Sequence, residues 1–192
     1  MNPLHHIEPF YGWLNRYNHE ADPRSPFHKV EHNLFYFDRS INRIPAHPLW
    51  DEIGSESLLV KILYADYSEG FAIIELFGEW NDLFENDFKL LAENCLTYLI
   101  DHGITRFILV CENVFHIYPD SDDYYQALQE ELGFEGWMCT LRPRDEVWSE
   151  MLQYGIDSYF YRSPLLDEVP WRKIPPLQLY RMVEDRMCKL LD

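Results

Sequence analysis

Two apolar runs stand five residues apart in the middle of the chain, LLVKILYA over 58–65 and FAIIELF over 71–77, joined by Asp66-Tyr67-Ser68-Glu69-Gly70. Runs of this length read as buried strands, and the short link between them predicts a hairpin. Beyond Gly78 the period changes. Phe84, Phe88, Leu91, Cys95, Tyr98 and Leu99 recur at three- and four-residue steps, which puts them on one helical face and predicts a helix over 82–102. Asp82 and Glu85 have capping-box spacing at its start, and Gly103 is a stop at its end.

The alternation then repeats. RFILVC over 106–111 reads as a strand, DDYYQALQEEL over 122–132 as a helix and WMCTLR over 137–142 as a strand. Pro143 suits a helix first turn, Val147, Trp148, Met151 and Leu152 form an apolar face, and Gly155 ends that helix. SYFYR over 158–162 reads as a last short strand, and Pro176 opens a helix whose Tyr180, Val183, Met187 and Leu190 share a stripe. Strands separated by helices require parallel pairing through right-handed crossovers, so the fold class is α/β, a mixed, mainly parallel sheet with an antiparallel hairpin at its N-terminal end and flanking helices. Residues 1–57 differ in kind, being rich in Pro, His and aromatics, with a hairpin expected in LFYFDRSINRI over 34–44. They are read as an extension packed on a core of residues 58–192, within a single domain.

Charge sharpens the picture. The chain of 192 residues has a formal net charge of −17, and residues 51–160 hold 5 basic and 23 acidic side chains, while both flanks are nearly balanced. Such a surface opposes nucleic acid and anionic lipid and favours a basic protein partner or cations. The four cysteines, Cys95, Cys111, Cys139 and Cys188, form no CxxC pair, which fits a reducing compartment. No signal-like N-terminus and no long apolar span is present, so a cytoplasmic location off the membrane is expected.

Candidate chemistry gathers at the carboxyl ends of the strands, where loops and helix N-termini converge. That edge would collect Glu79, Trp80, Asn81 and Asp82 after the second strand, Glu112 and Asn113 after the third, and Arg142 and Arg144 after the fourth, with Arg162 beyond. Asp120, Ser121, Asp122 and Asp123 form an acidic helix start close by, suited to an N-cap, to a phosphorylatable or partner-binding tip, or to a metal. Helix caps need the same residue types, so the pattern alone does not separate structure from function. His28-Lys29-Val30-Glu31-His32 matches the H-x-x-E-H zinc-protease order, but Pro23 and Pro26 and the following NLFYF argue against the helix that motif requires. The remaining N-terminal histidines, His5, His6, His19 and His47, have no ligand spacing. No metal or cofactor is therefore expected, and no G-x-S-x-G, P-loop or G-x-G-x-x-G is found.

Leu76-Phe77-Gly78-Glu79-Trp80-Asn81-Asp82, followed later by Phe115-His116-Ile117-Tyr118-Pro119-Asp120-Ser121, resembles the STAS domain of sulfate transporters and anti-sigma-factor antagonists over residues 58–162. That resemblance implies a STAS-like fold, a regulatory protein partner, and Ser121 in the place of the phosphoacceptor serine. Asp122 and Asp123 stand where the family has serine and glycine. HPLWDEIGS, KILYADYSEGFAIIELFGEWND and ENV resemble a small bacterial protein family of uncharacterised activity, which implies no reaction. The reading that joins these observations is a non-enzymatic, protein-binding or regulatory protein, a second copy of the chain being one admissible partner. Its alternative is a small-ligand-binding protein or enzyme with a polar site at the carboxyl ends of the strands.

Overall fold

The computed structural model describes residues 6–191, with side chains up to Met187; His5, Cys188 and Leu190 lie outside the described side chains. The extension contributes a small hairpin of β1 (Ser40–Ile41) and β2 (Ile44–Pro45), turned by Asn42 and Arg43 with φ of 52° and 65°. Both central residues in the left-handed region are what a tight two-residue hairpin requires. The hairpin predicted over 34–44 therefore exists only at its C-terminal end, and Leu34–Phe37 stays outside regular structure.

The main sheet has five strands in the order β3 (Asp51–Glu52), β4 (Leu58–Asp66), β5 (Phe71–Asn81), β6 (Arg106–Tyr118) and β7 (Trp137–Leu141). β3, β4 and β5 run antiparallel to their neighbours, and β5, β6 and β7 are parallel, so the expected mixed α/β sheet with an antiparallel start is the architecture found. Two strands overrun their predicted ends. β5 continues through Gly78, whose φ of 128° and 2.1 Å approach of the Ser57 carbonyl oxygen to any added Cβ leave room for glycine alone. β6 continues past Cys111 because a register shift between the Glu75 and Phe77 pairings absorbs an extra residue near Glu112.

The helix predicted over 82–102 is broken. α1 (Asp82–Glu85) stops at Asn86, which takes the left-handed conformation, and α2 (Asp87–Leu91) passes through a π turn (Ala92–Leu96) into α3 (Thr97–Asp101). α4 (Asp123–Leu132) and α5 (Asp145–Tyr154) follow the sequence reading closely, Gly155 capping α5 in the left-handed region. The strand expected over 158–162 is not formed: a 3-10 turn (Ile156–Tyr159) takes its first two residues, and Tyr161 makes one isolated bridge to Cys139. A short α6 (Pro164–Asp167) and a 3-10 turn (Trp171–Lys173) lead to α7 (Pro176–Leu191).

The strand side chains alternate between two apolar layers. Leu58, Val60, Ile62, Ile74, Leu76, Phe107 and Leu109 pack under Phe88, Leu91 and Cys95 of the broken helix, Leu128 of α4 and Val147 and Met151 of α5. Leu63, Phe71, Ile73, Ile108 and Val110 face the other way and are covered by Trp13 of the extension, Trp171, and Leu179, Tyr180 and Val183 of α7. One face thus belongs to the crossover helices and the other to the two flanks of the chain. Each layer buries enough apolar surface to stabilise the sheet at about 25 cal/mol per Å² removed from water.

Candidate functional site

The structure divides the predicted residues between the two faces. On the helix face, β5 and β6 end side by side, Asn81 pairing with Tyr118. Asn81, not Asp82, is the N-cap of α1, its side-chain oxygen accepting from Phe84 N at 3.1 Å. Trp80 is fully buried and stacks between aromatic neighbours, its ring 5.8 Å from both Phe88 and Phe160, so it serves the core. Asp82 is buried beside it. Its carboxylate accepts from Phe88 N at 2.8 Å and, through a short bond, from the Tyr125 hydroxyl. Burial pushes its pKa up to about 6, against the pull of the Tyr125 and Phe88 bonds. Asp87 next to it, also raised by burial, accepts from Asn81 N at 2.7 Å and from the Ser57 hydroxyl at 2.8 Å.

Asp120 and Ser121 come close to Asp82, but only about 10 Å³ of space remains among them, Asn86, Lys89 and Tyr124. That is about the volume one water needs. Asp122 holds the N-cap position of α4 without a side-chain cap bond; its carboxylate accepts instead from the Tyr159 hydroxyl at 2.7 Å. Ser121 is exposed and donates to Asp123 at 3.1 Å. Around this closed end Leu83 and Phe84 are 51% and 75% exposed, and Tyr118 and Tyr124 are also open to solvent. Glu79 is half-buried, its backbone N–H donating to the Ser57 carbonyl at 2.8 Å.

On the opposite face Glu112 and Asn113 lie at the β6 register shift, inside the strand and not after it. They meet Glu75, which no spacing rule singled out although it is a lone carboxylate in an apolar run. Glu75 is fully buried and accepts from Phe10 N at 2.7 Å, from Asn113 at 3.4 Å and from Arg172 at 3.3 Å. Burial outweighs these donors and raises its pKa to about 7. Glu112 pairs closely with Arg172 and at 3.4 Å with Arg142, while Trp171 Nε1 donates to it at 3.4 Å. A shallow notch of about 170 Å³ opens there between Arg142, Trp171, Arg172 and Lys173. Arg144 stands apart with its guanidinium 4.8 Å from the Phe115 ring centre, and Arg162 pairs with Asp145 and Asp167. The predicted single edge is therefore two sites, Asp82–Ser121 and Glu112–Arg142, on opposite sides of the sheet.

A fourth buried carboxylate belongs to the extension. β3 places Asp51 at the β4 edge, where His19 reaches one of its oxygens at 2.8 Å, His32 the other at 2.9 Å, and Lys61 Nζ comes within 3.3 Å. Burial alone would raise the Asp51 pKa, but the histidine bonds and the Lys61 charge hold it down at about 2. Of the H-x-x-E-H segment only His32 takes part: residues 28–32 are not helical, and His28 Nδ1 lies 3.2 Å from the Glu20 carbonyl.

No family model and no curated protein matches the chain. Among solved structures it is similar to the anti-sigma factor antagonist SpoIIAA in its unphosphorylated form, at 18% identity and a TM-score of 0.42 over 54% of this chain and 87% of that one. No helix among the described residues is long and apolar enough to cross a membrane.

Proposed function

We propose that the protein is a non-enzymatic, regulatory protein that binds another protein through the end of the sheet where β5 and β6 finish. The observation that carries this reading is a contrast at one place: the strand end is filled with side chains, yet its rim displays Leu83, Phe84, Tyr118 and Tyr124 beside Glu85 and Asp120–Asp123. Large exposed apolar groups framed by charge suit a protein surface and not a small-molecule cleft. A partner of matching chemistry presents a basic, apolar segment. Glu79, Asn81, Asp120 and Ser121 then belong to the contact rim, while Trp80 and Asp82 stiffen it from beneath. Phosphorylation of Ser121 would add charge to a tip that already holds Asp120, Asp122 and Asp123.

The test is affinity capture from cells that make the protein, run in parallel with Phe84→Ser/Asp120→Lys and with Phe35→Ser/Tyr36→Ser. A partner lost with the first variant and kept with the second supports the strand end. The opposite result moves the interface to the exposed Leu34–Phe37 run and overturns the reading.

A further inference from the structure

The sequence brings His19, Glu20, His32 and Asp51 from three separate segments, and the fold gathers them at one point. We propose that these four side chains form a binding site for one divalent transition-metal ion of the zinc class. Both imidazoles turn the same nitrogen, Nε2, to the Asp51 carboxylate, His19 at 2.8 Å from one oxygen and His32 at 2.9 Å from the other. Glu20 Oε1 lies 3.4 Å from His32 Nε2 and 4.0 Å from His19 Nε2, and the donor atoms of His19, Glu20 and His32 all fall within 4.8 Å of one another. Ligands held at about 2.0–2.1 Å around a tetrahedral zinc ion stand roughly 3.3 Å apart, so the observed separations bracket what such an ion needs. Two imidazoles with carboxylates suit zinc and its neighbours; calcium and magnesium take all-oxygen shells.

A second, independent feature points to a ligand. His19 Nε2 and Asp51 Oδ2 are both buried and lie 2.8 Å apart, a charge contact without an aligned hydrogen bond at either atom, and Lys61 Nζ stands 3.3 Å from the same oxygen. Buried lone pairs held by charge contacts and not by aligned hydrogen bonds are incompletely used, and a cation accepting both would use them fully. Access comes from outside the sheet: His32 also lines a cavity of about 450 Å³ with Phe27, Tyr36, Arg39, His47 and Trp50. This cavity lies wholly in the N-terminal extension and the adjoining β3–β4 edge.

Lys61 makes the site testable. Its Nζ lies 3.3 Å from Glu20 Oε1 and 3.3 Å from Asp51 Oδ2, so an ammonium already balances part of the negative charge and competes with a metal. A metal site tightens when that competitor is removed, whereas a salt-bridge cluster without metal gains no affinity.

The experiment uses the full, untagged chain, stripped with a chelator and titrated with Zn²⁺ against a chromophoric competitor, with Co²⁺ visible absorption as a second readout. Expected are one equivalent bound, affinity reduced by about tenfold or more in His32→Ala and Glu20→Gln, and tighter binding in Lys61→Met. His6→Ala/Glu8→Gln, which removes two donors of the other group with converging ligand atoms, leaves the affinity unchanged. Circular dichroism establishes that each variant is folded, and His32→Ala and Glu20→Gln, at less buried positions, carry the result if His19→Ala does not fold. Binding below one equivalent, unchanged affinity in His32→Ala, or weaker binding in Lys61→Met overturns the proposal.

Discussion

Asp82 and Asp51 are both aspartates buried against the sheet, and the protein satisfies them in opposite ways. Asp82 meets uncharged donors, the Tyr125 hydroxyl and the Phe88 amide, and burial lifts its pKa to about 6. Asp51 meets His19, His32 and Lys61, and its pKa falls to about 2. The difference shows where each carboxylate's charge is wanted. Under the helices the acid is met by uncharged donors, its proton is held more tightly than usual, and it keeps an aromatic stack in place. At the extension the charge is kept, and cationic groups are brought to it from residues 19, 32 and 61.

The largest effect that would sharpen this contrast is Asp51→Ala. It strands Lys61 with fewer partners and removes the shared acceptor of two histidines, so a loss of about 3–5 kcal/mol is expected in urea denaturation at neutral pH, as for other buried pairs broken on one side. A loss below that of Asp82→Ala, for which about 1–3 kcal/mol follows from stranding neutral donors, would break the comparison.

Next comes pH. Asp82 has a folded pKa above its ordinary value of 3.8, and Glu75 one above its ordinary 4.5, so folding favours their protonated forms. Their contribution is full at low pH and is lost as pH rises, through about 6 for Asp82 and about 7 for Glu75. Each loss amounts to about 3 kcal/mol at 1.36 kcal/mol per pH unit. Asp82→Asn should flatten the stability profile between pH 4 and about 6 and leave the Glu75 limb at higher pH; parallel wild-type and variant profiles would refute the neutral-acid account. The smallest effect belongs to the rim. Phe84→Ser changes stability by less than about 0.5 kcal/mol, since the ring is largely exposed, while abolishing partner capture. A larger destabilisation would assign Phe84 to the core.

Much of the scaffold was legible because apolar period reports burial. The β4–β5 hairpin, the parallel β6 and β7, and helices α4, α5 and α7 each announce themselves in that way. The overruns of β5 and β6 were not legible, because Gly78 and the shift near Glu112 break the two-residue alternation that extends a strand. The break at Asn86 was hidden by a helical period that carries on across it. SYFYR has strand-forming side chains, but strand formation needs a partner edge, and only Tyr161 reaches one. At the candidate site, the strand-end rule gathers Glu79, Trp80, Asn81 and Asp82, and the acidic helix start at Asp120 and Ser121, read from its own pattern, lies beside Asp82. The same rule gathers Glu112 and Arg142 at that edge, whereas β6 runs on past Glu112 and the pair meets on the other face of the sheet. The legible but unread signals were Lys61 and Glu75, single charges inside apolar strands, each of which demands a buried partner.

The layer opposite the crossover helices has a consequence for how the chain is made. Phe10 and Trp13 pack edge-on against Trp171, and Tyr180 stacks on Phe71, so the earliest and the last described segments close the same side of the sheet. A ribosome emits them more than 150 residues apart. The hairpin and its helices can pair while synthesis continues, but the cover that Trp171, Leu179, Tyr180 and Val183 give the other layer comes only with the later segment. Until those residues arrive, Phe71, Ile73, Ile108 and Val110 lack part of the cover that they have in the finished fold.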